Sequence, residues 1–128
     1  MRWPYADLST APIHEKDIGA VAARVLCEDH KEAEYVLTGP ESLTNAEQVS
    51  AIGRAIGRSI RMEEVSPDEW RRECVSTWPP IVVNMLLDAW AAAIGRPAFM
   101  TSSVADLTGA PARTFLDWAT DHAAQFRT

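Results

Sequence analysis

Apolar positions along this chain recur first at a helical spacing. Ile18, Val21, Ala22, Val25 and Leu26 form one stripe, which predicts an amphipathic helix facing a core and ending near Asp29-His30-Lys31. His30 and Lys31 suit the negative end of that helix, with His30 solvated. The period then changes. Tyr35-Val36-Leu37-Thr38 is a β-branched and aromatic run stopped by Gly39-Pro40, a strand and its turn. Ala11 to His14 reads as a strand before the helix, and strand, helix and strand have lengths that suit a parallel βαβ pairing.

Thr44-x-x-Glu47 is a capping box that opens a helix from about Asn45 to Arg58, with Ala46, Val49, Ile52, Gly53 and Ile56 on one face. Gly57 is its C-cap, and Gly53-x-x-x-Gly57 marks a side where another backbone approaches closely. Ile60 to Val65 alternates and predicts a short strand. Ser66-Pro67-Asp68-Glu69 then announces a helix to about Ser76, with Ser66 as N-cap, Pro67 first and Glu69 completing a capping box. From Pro79 to Ile94 only Asn84 and Asp88 interrupt an apolar run, which predicts a helix buried over nearly its whole circumference by core, second subunit or ligand. Gly95-Arg96-Pro97 stops it. Phe99 to Thr101 links to one helical turn over Ser103–Leu107, and a last helix spans Ala112 to Phe126 with Phe115, Leu116, Ala119, Ala123 and Phe126 inward. The expected fold is mixed α/β and helix-rich, with three short strands and about five helices in one domain over residues 1–128.

Charge narrows the partners. A net charge of −6 argues against nucleic acid or an anionic membrane, since both require a basic face. No apolar run reaches the length of a membrane span, and Met1 to Tyr5 contains no leader-like apolar stretch, so a cytoplasmic protein is expected. Cys27 and Cys74 lie far apart and read as two reduced thiols. Three scattered histidines do not make a metal site.

Three signatures carry a family resemblance. They are Pro12-Ile13-His14-x-x-Asp17-Ile18; Tyr35-x-Leu37-Thr38-Gly39-Pro40-x-x-Leu43-Thr44 with Glu47; and Val104-x-x-Leu107-Thr108-Gly109-x-Pro111-Ala112-Arg113-Thr114-Phe115 with Trp118. In this order, over nearly the whole chain, they resemble the C-terminal, substrate-binding part of NmrA-like, atypical short-chain dehydrogenase/reductases. Family members carry a Gly-rich pyrophosphate turn in an N-terminal Rossmann half. No Gly-x-Gly-x-x-Gly and no Tyr-x-x-x-Lys occurs here, so no cofactor is expected to bind these residues.

The resemblance places the first ten residues along a substrate pocket, with Trp3 and Tyr5 as lining. It also makes the 79–94 helix a pocket wall or interface, bringing in Trp78, Asn84, Leu87 and Trp90. Asn84 and Asp88, at i and i+4, share a face and would be the placed polar groups of an apolar site. His14 and Asp17 read either as a His–Asp general-base dyad or as a helix-entry network, and the resemblance favours the network. Candidate acid/base groups are therefore His14, Asp17 and Asp88. His122 beside Trp118 reads as a boundary histidine packing its ring.

Three functions remain in play. A cofactor-independent domain that binds a small apolar organic ligand, with isomerase, cyclase, dehydratase or hydrolase chemistry in secondary metabolism, is preferred. The alternatives are a regulatory subunit and the substrate half of a split or truncated NAD(P)-dependent reductase. The strand at Tyr35 would leave an open edge, for which a homodimer or a Rossmann-bearing partner chain is the remedy.

Overall fold

The structure, a computed structural model, describes residues 1–27 and 33–127. The expected helix end at residues 29–31, with His30, lies outside the described residues. Chain order runs β1 (Arg2–Trp3), β2 (Ser9–Thr10), α1 (Glu15–Cys27), β3 (Leu43–Thr44), α2 (Asn45–Ile56), β4 (Glu63–Glu64), α3 (Pro67–Cys74), α4 (Pro80–Ala93), α5 (Ser103–Thr108), α6 (Phe115–Asp121) and a 3-10 turn (Ala123–Phe126). This is a mixed α/β, helix-rich fold.

The strands are short and not where periodicity put them. β1 pairs in parallel with β4, Arg2 opposite Glu63 and Trp3 opposite Glu64. β2 pairs antiparallel with β3, Ser9 opposite Thr44 and Thr10 opposite Leu43. Of the three expected strands, only Ile60–Val65 contains one, reduced to Glu63–Glu64. Ala11–His14 and Tyr35–Thr38 form no ladder, although Gly39 N–H donates to the Ala11 carbonyl at 3.1 Å. A strand exists only when a neighbour completes its hydrogen bonds, and that single bond does not make one. The first ten residues, for which the sequence predicts no strand, carry β1 and β2.

Local signals fix the helices. Thr44 and Glu47 make the full capping box, and Gly57 closes α2 in the left-handed conformation at φ 70°. Gly53 lets the backbone return, because an added Cβ would stand 2.7 Å from the Arg58 carbonyl oxygen. Ser66 accepts from Glu69 N–H at 3.2 Å, but only half the expected box forms, since the Glu69 carboxylate bonds Arg2 instead. The last helix begins at Phe115, where Thr114 and Asp117 form a second full box, and it breaks after Asp121.

Packing departs from two expectations. α1 buries Asp17 and Val21 and contacts α5, leaving Ile18 and Leu26 exposed. α4 buries one side only, through Val83 and Leu87, against α3. Its other side is open, with Ile81 78% exposed and Met85 61%. An apolar sequence all round the helix predicted a cover on both sides, and among the described residues only the Val83–Leu87 side has one.

Candidate functional site

Three tryptophans meet where β1, α3 and α4 converge. Trp70 is buried with Val65, Val83 and Leu87, while Trp3, Tyr5, Leu86 and Trp90 pack on that cluster, half-buried. The ring centroid distances are 5.6 Å for Trp3–Trp70, 5.6 Å for Trp3–Trp90 and 5.2 Å for Trp70–Trp90. The first and last are edge-to-face, which aligns positive ring edges with negative faces. Trp3 and Trp90 also wall a cavity of about 310 Å³ with Leu8, Val49, Ile52 and Phe115. That volume lies at the lower end of small-molecule pockets.

Polar groups enter the cavity from the start of α2. Asn45 Nδ2 donates to the Tyr5 carbonyl at 2.9 Å, holding a turn in which Tyr5 adopts φ 56°. Gln48 Nε2 donates to Thr10 Oγ1 at 2.8 Å and to the Leu43 carbonyl at 3.2 Å. Both amide nitrogens are thereby spent on the fold, and the side-chain carbonyls remain as acceptors for a ligand donor. The α2 backbone N–H groups of Asn45 and Ala46 bond Leu8 and Ala6, which ties the lead-in to the helix.

Trp3, Tyr5, Leu87 and Trp90 are brought together in this cluster, and of these Trp3 and Trp90 line the cavity. Trp78, Asn84 and Asp88 are not: they are exposed, and Asn84 Oδ1 accepts from Arg71 Nε at 2.8 Å. The reason is rotational, because Val83, Leu87 and Trp90 turn inward and place positions 84 and 88 outside. Asn45, Gln48, Thr10 and Phe115 belong to the cavity and went unread in the sequence. Asn45 and Gln48, at i and i+3, share the apolar side of α2 with Val49 and Ile52, the one available signal.

His14 and Asp17 sit elsewhere and do not form a dyad. Asp17 is buried and accepts from Arg113, through its backbone N–H at 2.7 Å and its guanidinium. The His14 ring is fully buried. Its Nδ1 lies 3.2 Å from the Lys16 N–H and 3.3 Å from Glu15 Oε2, and its Nε2 faces Asp121 Oδ2 at 3.4 Å without a formed hydrogen bond. His122 stacks on Trp118 at 4.8 Å and places Nε2 3.0 Å from Glu15 Oε1. These contacts pin the start of α1 to α6, as a helix-entry network does. No group of three or more metal-type ligands occurs among the described residues.

Four carboxylates there and at the caps are held below their ordinary values. The backbone N–H at the start of α1 stabilises ionised Glu15, and His14 and His122 assist. A bond from Lys16 does so for Asp121, Thr114 for Asp117 and Thr44 for Glu47. A depressed folded pKa means that the unfolded chain binds more protons, so this stability is full above the ordinary values of 4.5 for Glu and 3.8 for Asp. It is lost as pH falls through the folded pKa values. Urea midpoints are expected to drop in that acid window, and Thr114→Ala to shrink the drop; an unchanged drop would remove the capping contribution.

The protein-family models searched contain no match to the chain. Among curated proteins it is 36% identical over 124 residues to (4-alkanoyl-5-oxo-2,5-dihydrofuran-3-yl)methyl phosphate reductase of Streptomyces griseus, covering 95% of this chain and 44% of that protein. It is 31% identical to the NAD(P)H azoreductase of Xenophilus azovorans, covering 96% and 44%. The chain therefore spans less than half the length of these relatives. Among solved structures, a nucleoside-diphosphate-sugar epimerase from Staphylococcus aureus aligns at TM-score 0.75 and 16% identity, over 93% of this chain and 43% of that one. An NADPH-dependent quinone oxidoreductase from Escherichia coli aligns at 0.69 and 22%, over 98% and 46%. These two likenesses show the fold.

A dinucleotide requires a glycine-rich strand-to-helix turn around its pyrophosphate. The glycines here serve other ends. A Cβ on Gly39 would stand 1.9 Å from the Pro12 carbonyl oxygen, so that glycine is a crossing of two backbones, and Gly57 and Gly109 close helices. The described residues do not fit a pyrophosphate cradle. In motif, fold and relatives alike, the chain is similar to the C-terminal part of NmrA-like, atypical short-chain dehydrogenase/reductases.

Proposed function

We propose that this chain supplies the substrate-binding part of an NAD(P)H-dependent reductase and holds a small, largely apolar, conjugated acceptor between Trp3 and Trp90. The observation that carries this reading is the 310 Å³ apolar cavity with its two tryptophan walls and with Asn45 and Gln48 among its lining residues. Similarity to two reductases over 95% and 96% of the chain supports the reaction class. The dinucleotide is held by a Rossmann-type half outside these residues, and the hydride comes from there. The chain's own share is to bind the acceptor, orient it and exclude water from it.

The preferred sequence reading, a cofactor-independent isomerase, cyclase, dehydratase or hydrolase, finds no support in these relatives. Its acid/base candidates also lie away from the cavity, His14 and Asp17 in the α1 corner and Asp88 on the outer side of α4. The test is quenching of tryptophan fluorescence by 1,4-naphthoquinone, with reduction assayed on protein purified from its own host. Trp90→Phe is expected to weaken binding modestly and Gln48→Leu with it about fivefold to tenfold, since aromatic pairs contribute about 0.5–1.5 kcal/mol. NADPH oxidation should accompany turnover in the native preparation. Turnover of an acceptor without NAD(P)H would sink the proposal.

A further inference from the structure

We propose that His122 is a proton-operated clamp that holds the far end of α6 on α1 and so sets the wall that Phe115 gives the cavity. Both nitrogens of its ring face acceptors. Nδ1 lies 2.9 Å from the Trp118 carbonyl oxygen, and Nε2 lies 3.0 Å from Glu15 Oε1. A neutral imidazole carries one proton, so only the charged ring donates to both. Once Nε2 loses its proton, its lone pair stands against a carboxylate oxygen, and attraction becomes repulsion. Glu15 stays ionised near neutral pH, because the backbone N–H at the start of α1 holds its carboxyl below the ordinary value.

The first turn of α1 holds α6 at both ends. Before Phe115, Asp17 accepts from Arg113, whose charge does not change with pH. After the helix, Glu15 holds His122 and Asp121 holds Lys16. Among the described residues, the charges that face the two histidine rings are Glu15 and Lys16 from α1 and Asp117 and Asp121 from α6. Asp117 is committed to the Thr114 cap. From α2, Glu47 and Arg54 border α6 at Thr114 and Leu116, and Glu47 is committed to Thr44. From α5, Asp106 accepts from Ser102. Histidine is the member of this corner whose charge ordinarily changes between about pH 5 and 8. His14 shares Glu15 from below, Oε2 lying 3.3 Å from its Nδ1, but its side chain is fully buried. The His122 side chain is 23% exposed and exchanges its proton with water. One clamp on α6 is therefore permanent and the other follows pH.

Phe115 opens α6 and lines the cavity, so release of the far end loosens that wall. This consequence rests on the acceptor reading above, whereas the clamp is tested without ligand. Amide hydrogen exchange of the full chain, corrected for the intrinsic effect of pH, should show protection in α6 falling about twofold to fivefold from about pH 6 to about pH 8, the worth of one part-exposed ion pair. Affinity for 1,4-naphthoquinone, measured by tryptophan quenching, should fall in the same direction. His122→Gln should flatten both profiles. Glu15→Gln should flatten them with protection retained, since an amide accepts from the charged ring and donates to the neutral one. Equal protection of wild-type α6 at both pH values would overturn the clamp, and so would a profile that His122→Gln leaves unchanged. PH-dependent protection without naphthoquinone binding at either pH would support the clamp and strike the acceptor reading instead.

Discussion

Trp70→Ala is expected to destabilise the protein by about 3–5 kcal/mol, the range for removing a large aromatic side chain from a core. Trp70 is buried at the centre of the cluster and joins the N-terminal strand to α4, with Trp3 and Trp90 against its ring. Its removal deletes two edge-to-face contacts and leaves a cavity that Val65, Val83 and Leu87 close only in part. Urea denaturation measures the loss, and a melting temperature lower by roughly 10–20 °C should accompany it. Trp70→Phe keeps a ring in the site and should lose clearly less. The binding site makes the result informative beyond stability: Trp3 and Trp90 wall the cavity and both lean on Trp70, so naphthoquinone affinity should fall in Trp70→Ala even under conditions where the variant is folded. A loss below about 1.5 kcal/mol would mean that the cluster is not the organising core.

What the sequence discloses divides along the range of the interactions. Capping and turn chemistry is local, so the Thr44–Glu47 box, the Gly57 cap, the Ser66–Pro67 start and a helix after Pro80 are all readable from a few neighbouring residues. Thr114-x-x-Asp117 carries the same signal and places the start of α6 three residues beyond the expected Ala112. Strands depend on distant partners. Arg2 and Trp3 form one because Glu63 and Glu64 lie beside them, while Tyr35–Thr38, the better strand by composition, joins no ladder among the described residues. Helix faces are similarly ambiguous where apolar residues surround the axis: α4 turns Trp90 inward and Asn84 and Asp88 outward, and only packing against α3 decides it. Of the expected ligand wall, Trp90 joins Trp3 at the cavity, Leu87 packs in the core beside it, and Trp78, Asn84 and Asp88 lie on the exposed side.

Asp17 was legible as a residue but not as a contact, because its partner lies 96 positions away. Its side chain is 3% exposed, and it accepts from both the backbone N–H and the guanidinium of Arg113, whose own side chain is 45% exposed. The asymmetry decides the energetics. Asp17→Ala strands a part-buried N–H and removes two charge-assisted bonds, at a cost of about 2–3 kcal/mol. Asp17→Asn keeps an acceptor for the N–H and should cost about half as much. Arg113→Ala removes only the solvent-facing partner, and with solvent screening about 1 kcal/mol or less is expected. The order Asp17→Ala, Asp17→Asn, Arg113→Ala in urea denaturation is the check, and a largest loss in Arg113→Ala would refute the backbone N–H as the main anchor. The consequence for function runs through the next two residues: Thr114 caps α6 and Phe115 enters the cavity. Releasing Arg113 frees the segment that aims Phe115 at the ligand, so Asp17→Ala should weaken acceptor binding although Asp17 touches no part of the cavity.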